Sequence, residues 1–160
     1  MLAYHNDPAV KAKYEVRFAA HRATDDVIQG IGFKNGRGCF VGCTLDAYDH
    51  SRFPAELGWP EWLAHLADTI FEGLPASEAP RFGTDLLASV PVGVDLERAK
   101  HPFLLGLLDR RLAALPDDDK TQVRAAVTAV RDLCQRPESV TPAEWEAAAR
   151  AAARSAAAAW

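Results

Sequence analysis

The stretch Gly30-Ile31-Gly32-Phe33-Lys34-Asn35-Gly36-Arg37-Gly38-Cys39-Phe40-Val41-Gly42-Cys43-Thr44 decides how this 160-residue chain is read. Five of the ten glycines fall between Gly30 and Gly42. Helical periodicity is interrupted here and resumes further along. Asn35-Gly36 is the pair that a tight turn uses, because both residues accept positive φ. The flanks, Ile31-Gly32-Phe33 and Cys39-Phe40-Val41, then form either a short hairpin or an irregular loop packed on a helix. A lone two-stranded hairpin is marginal in water, so it must lean on helices.

Outward from this stretch the pattern is helical. Asp7-Pro8 reads as an N-cap followed by proline at the first helical position. Val10, Tyr14 and Phe18 recur at four-residue steps, and His21, Asp25 and Ile28 continue the same face. The spacing predicts a helix over 8–29. A second helix is predicted from Pro60 to Leu74, with Trp62, Leu63, Leu66, Ile70 and Leu74 on its apolar stripe. Glu61, His65, Asp68 and Glu72 fall on the other side, the pattern of a solvated face. A shorter helix over 80–90 ends at Pro91.

Phe103, Leu104, Leu107, Leu108, Leu112 and Leu115 form a further apolar face, which predicts Leu107 and Leu108 in the core. Asp117, Asp118 and Asp119 suit a first helical turn, where the helix dipole favours acids. Val123, Val127, Val130 and Cys134 follow at spacings of four, three and four, which makes Cys134 a buried, structural thiol. Thr141-Pro142-Ala143-Glu144 is a capping box. Eleven of the last twenty residues are alanine. Alanine propagates a helix but buries little area. The segment 137–160 is therefore an alanine-rich helix that either packs by close approach around Trp145 or attaches loosely. The expected architecture is mainly α. It is a single domain over 1–160, with about six helices and a glycine-rich loop or small β-hairpin after the first.

Composition narrows the class. Hydrophobic residues make up 49% and charged residues 25%, the proportions of a globular protein with its own core. The net charge of -4 argues against a broad nucleic-acid footprint, so no nucleic acid is expected as a partner. No run approaches the ~20 apolar residues that span a bilayer, so no membrane partner is expected either. The three cysteines are an odd set, and the N-terminus has no basic start or apolar run of signal length. These features predict a soluble, cytoplasmic protein with reduced thiols.

Chemistry concentrates around Gly38-Cys39-Phe40-Val41-Gly42-Cys43-Thr44, followed by Asp46, Asp49 and His50. Cys39, Cys43 and His50 are legitimate metal ligands, although zinc knuckles place two residues rather than three between cysteines. A reactive thiol is a second reading, with Arg37 favouring a thiolate and His50 moving a proton. Here Cys43 is the catalytic candidate beside His50, because Gly42 and Thr44 leave room around it. The third reading is two small buried cysteines that pack a glycine-rich turn. His21 and Asp25 lie one turn apart and are either a hydrogen-bonded structural pair or a cleft-facing pair. Gln29 ends the same helix, and Glu56 sits in a turn-like segment before the 60–74 helix. Glu72, with His65 and Asp68, can contribute to divalent-metal binding from that helix.

The strings Gln29-Gly30, Gly38 to Thr44, Asp49-His50, Glu56-Leu57-Gly58 and Ile70-Phe71-Glu72-Gly73-Leu74-Pro75 resemble a group of uncharacterised bacterial proteins. The resemblance covers roughly 15–110. It implies a bacterial, soluble protein and implies no particular reaction or cofactor.

The leading functional expectation is a polar pocket that binds a small ligand or a metal, with or without catalysis. His21, Asp25, Gln29, Cys39, Cys43, His50, Glu56 and Glu72 are its lining residues. The rival is a non-enzymatic helical module with structural cysteines, docking a protein partner through exposed Trp59, Trp62 or the alanine-rich helix.

Overall fold

A computed structural model describes residues 1–116 and 123–158 of the chain. The expected first-turn acids Asp117, Asp118 and Asp119 lie outside the described residues. The architecture is mainly α, as the sequence predicts. Among the described residues there are eight α-helices rather than about six, with one two-stranded sheet. The chain divides into two compact units, Met1–Glu97 and Arg98–Trp160. No helix among the described residues is long and apolar enough to cross a membrane.

The first unit opens with a left-handed turn at Tyr4, His5 and Asn6, with φ between 53° and 59°. Tyr4 is fully buried and its hydroxyl donates to the Leu87 carbonyl at 2.7 Å, which anchors this turn. Helix α1, Pro8–Ala23, starts where the sequence places it, with the Asp7 carboxylate accepting from the Ala9 N–H at 2.8 Å. It ends six residues before the predicted boundary. The Thr24 hydroxyl turns back onto the Ala20 and His21 carbonyls, and Asp25 adopts φ 56°. A helix cannot propagate through that conformation.

The glycine-rich stretch forms the hairpin. Strand β1, Phe33–Lys34, pairs antiparallel with β2, Arg37–Gly38. Asn35 and Gly36 both have positive φ, as a two-residue hairpin turn of this hand requires. Helix α2, Phe40–Leu45, follows at once and is buried at every position. The hairpin lies flat on it. A Cβ at Gly42 would fall 2.0 Å from the Gly32 carbonyl oxygen, so only glycine permits this approach. Helix α3, Phe53–Leu57, is equally short. These two helices account for the difference in number.

Helix α4, Glu61–Gly73, buries Ala64, Ala67, Asp68 and Phe71. The predicted stripe is covered only in part: Leu63 and Leu74 pack against the core, while Ile70 is 38% exposed. Ala64, Ala67 and Phe71 are the buried apolar residues of this helix. Helix α5, Ala79–Ser89, packs on α1. The core of this unit is a run of aromatic rings. Phe18 contacts Phe40, Phe40 contacts Phe53, Phe53 contacts Trp59, and Trp59 contacts Tyr4, with centroids 5.7–6.1 Å apart. Trp59 is fully buried, so it is not the exposed docking residue the sequence suggests.

The second unit contains α6, Lys100–Ala114, α7, Val123–Gln135, and α8, Pro142–Ala158. Helix α7 packs against both of the others. Its buried positions include Ala126, Leu133 and Cys134, as the periodicity predicts for the cysteine. Helix α6 has no fully buried residue, and Leu107 is 38% exposed, against expectation. The capping box at the start of α8 forms in both directions. The Glu144 N–H donates to the Thr141 hydroxyl, and the Thr141 N–H donates to the Glu144 carboxylate.

Candidate metal centre

The hairpin, α2 and α4 together position one polar cluster in the first unit. Cys39 is the N-cap of α2, and its N–H donates to the Ile31 and Gly32 carbonyls at 2.9 and 3.1 Å. These bonds set the thiol at the junction of hairpin and helix. Asp68 and Glu72 stand one turn apart on α4 and so project along the same face. One ligand-capable atom from each of Cys39, Asp68 and Glu72 lies within 4.8 Å of the others. Cys39 and Asp68 are buried, while Glu72 is exposed, so the cluster is covered below and reachable from one side.

The two oxygens of Asp68 differ. Oδ2 is 3.1 Å from His50 Nε2 and accepts from the Tyr48 hydroxyl at 3.2 Å. Oδ1 is buried and has no hydrogen-bond partner among the described residues. A buried carboxylate oxygen is costly without a partner, and the neighbouring Cys39 thiol is a hydrogen-bond donor to this carboxylate. Asp68 as a whole is 7% exposed. The Cys39 thiol sits beside the same carboxylate. Burial first, and then the interaction with Asp68, pushes its pKa up to about 12. Cys39 is therefore a neutral thiol at ordinary pH unless a cation displaces its proton.

Further contacts fix the remaining parts. The Asp49 carboxylate caps the short turn that carries His50, accepting from the Ser51 N–H at 3.0 Å. The His50 ring stacks on His65 with centroids 4.1 Å apart and planes 10° apart, and Tyr48 meets it edge-on at 5.0 Å. Gln29 Nε2 donates to the Phe71 and Leu74 carbonyls at 2.7 and 2.8 Å, satisfying the end of α4. The Gly30 N–H donates to a Glu72 carboxylate oxygen at 2.8 Å. Gln29-Gly30 thus ties the end of α4 and the Glu72 carboxylate to the segment that precedes the hairpin.

Of the residues singled out by sequence, Cys39, His50 and Glu72 gather at this cluster, with Gln29 at its edge. Cys43 lies elsewhere. It is fully buried, its Sγ is 3.3 Å from the Gly38 carbonyl, and its charged neighbours are Asp26 and Asp46. Burial pushes this thiol also to about 12, which agrees with the packing reading of the cysteines and not with the thiolate reading beside Arg37. Arg37 instead pairs with Asp26 at 3.5 Å. His21 finds Asp46 at 2.8 Å rather than Asp25, and Asp25 is exposed beyond the helix end. Glu56 accepts from the Tyr14 hydroxyl at 2.5 Å and pairs with Arg52. Burial alone would raise the Glu56 carboxyl, but these two hydrogen bonds outweigh it and hold the group below its usual range.

Asp68 is weighed by the sequence pattern as a metal-binding acid beside His65 and Glu72, but it falls with them on a face assigned first to solvent. Its spacing to Glu72 and His65 was the available signal. No family model, curated protein or solved structure matches this chain.

Proposed function

We propose that the protein binds a divalent metal ion of the zinc class through Cys39, Asp68 and Glu72. The observation that carries this reading is the gathering of one ligand-capable atom from each of Cys39, Asp68 and Glu72 within 4.8 Å, on a buried Asp68 whose Oδ1 has no hydrogen-bond partner among the described residues. A bound cation supplies the partner that this oxygen lacks. A thiolate ligand favours zinc and its neighbours over magnesium and calcium, which take all-oxygen sets. His50 and Tyr48 hold the outer oxygen of the same carboxylate. Ligating carboxylates in metal sites are themselves hydrogen-bonded in this way. The three cysteines are free thiols. Their reduced state supports a cytoplasmic setting.

The test is zinc affinity, read by competition with a chromophoric chelator, for the parent and for Cys39→Ser, Asp68→Asn and Glu72→Gln. Each variant should bind at least about tenfold more weakly while keeping the parent's helical circular dichroism. Equal affinity in parent and variants, or no binding by the parent, would overturn the proposal.

A further inference from the structure

We infer that the second unit binds a small aromatic carboxylate, in a cavity of about 420 Å³ walled by Lys100, His101, Leu104, Pro137 and Trp145. The site shares no residue with the metal cluster and does not depend on it. Its volume is that of an ordinary small-molecule pocket. Three segments of the one unit build it: the opening of α6, the turn Pro137–Ser139 and the first turn of α8. The last two are pinned to each other. Arg136 donates to the Glu144 carboxylate at 2.9 Å, and Glu144 also closes the capping box with Thr141. Pro137 and Trp145 directly follow the two members of that ion pair. Their places in the wall are therefore set before any ligand arrives, which lowers the ordering cost of binding.

The wall divides by chemistry. Leu104, Pro137 and Trp145 offer apolar surface, and the fold leaves each of them only half-buried. The indole is the largest of the three, and aromatic rings pair with it in offset-stacked or edge-on arrangements. Lys100 brings a fixed positive charge, and none of the five lining residues is an acid. Burial raises the Cys134 thiol and the nearby Lys100 charge partly offsets the rise, so this side chain lies toward α7. His101 adds a ring whose Nδ1 is buried with no hydrogen-bond partner among the described residues. Such a nitrogen is costly, and a ligand oxygen at this ring would relieve it. Of the acids next to lining residues, Glu144 is paired with Arg136, while Glu138 and Glu146 are exposed to solvent, where their repulsion is screened. One fixed cation beside an apolar wall matches one negative charge on a planar ring, as in an aromatic carboxylate.

The probe is 2-naphthoate, with 2-naphthamide as its uncharged match. Each is titrated calorimetrically into the full chain at neutral pH, with excess EDTA so that no metal ion takes up the carboxylate. The parent should bind a single naphthoate saturably, at least about tenfold more tightly than the amide. Lys100→Gln should remove that preference, and Trp145→Ala should weaken both ligands at least about tenfold. Circular dichroism checks that each variant keeps its helices. In nitrogen-15 spectra of the parent, the indole N–H signal of Trp145 should move in step with naphthoate saturation. That signal and Lys100→Gln decide the matter if Trp145→Ala loses its helices. No saturable binding by the parent, equal affinity for naphthoate and naphthamide, or a Trp145 signal unmoved at saturation would overturn the inference.

Discussion

His50 Nε2 lies 3.1 Å from Asp68 Oδ2, on the side of the carboxylate away from its buried, unpartnered Oδ1. The relationship links two segments distant in sequence, the short turn after α2 and the middle of α4. It leaves Oδ1 as the oxygen available to a cation.

Under the proposed zinc reading, His50 acts as a positioning residue. His50→Ala should weaken zinc binding about 10- to 100-fold, as loss of an outer partner does at other metal sites. Tyr48→Phe removes the 3.2 Å hydrogen bond to the same oxygen and should weaken binding by less. Chelator competition measures both, and an unchanged affinity in His50→Ala would show that the Asp68 orientation is set by packing alone.

The thiols predict a pH dependence. Cys39 and Cys43 are pushed from an ordinary value of 9.0 to about 12, chiefly by burial. Burial likewise raises Tyr4 and Tyr14, the latter with help from Glu56. Between pH 9 and pH 12 the unfolded chain has released cysteine protons that the folded chain retains. Stability from these groups is therefore complete below about pH 9 and falls as the pH climbs toward 12. Denaturant midpoints should hold steady from neutrality to pH 9 and drop above it. In native, metal-free protein at pH 7, iodoacetamide should label neither cysteine until the chain is unfolded.

Gly42→Ala tests the hairpin-to-α2 contact. The added methyl would lie 2.0 Å from the Gly32 carbonyl, a backbone atom that cannot rotate aside. The substitution should cost about 1–3 kcal/mol. A urea midpoint equal to the parent's would show that the two segments can separate without penalty.

In the second unit, Thr141→Ala removes the hydroxyl that accepts from the Glu144 N–H, and should cost about 1 kcal/mol. Hydrogen bonds from Thr141 and Arg136 hold the Glu144 carboxyl down to about 2. Its contribution is therefore present above the ordinary carboxylate range and is lost as the pH falls toward 2. Acid titration of Glu144 by carbon-13 NMR should locate that midpoint, and in Thr141→Ala, which keeps the Thr141 N–H bond, the midpoint should rise only part of the way.

Much of the fold was legible because it rests on local rules. The Asp7 cap, the Asn35-Gly36 turn, the Thr141–Glu144 box and burial of Cys134 each follow from a few neighbouring residues. Helices α2 and α3, of six and five residues, escaped because neither reaches two full turns and so cannot display a period. The early end of α1 turns on Asp25, whose left-handed φ no apolar spacing reports. The candidate site was half legible. Cys39 and His50 stood out by residue type, while Asp68 and Glu72 read first as a solvated face because large apolar residues define a stripe on paper. In the folded unit α4 buries Ala64, Ala67 and Phe71, and Asp68 is buried with them. Such a choice between faces is made by tertiary packing, which pattern alone does not encode.

The most direct measurement is calorimetric titration of the metal-free protein with zinc, repeated in buffers of different ionisation enthalpy. Because Cys39 holds its proton to about 12, coordination through its sulfur must release that proton. The account predicts a single zinc per chain and release of about one proton at pH 7, with the release abolished in Cys39→Ser. Zinc binding with no proton release, or with the same release in Cys39→Ser, would contradict it.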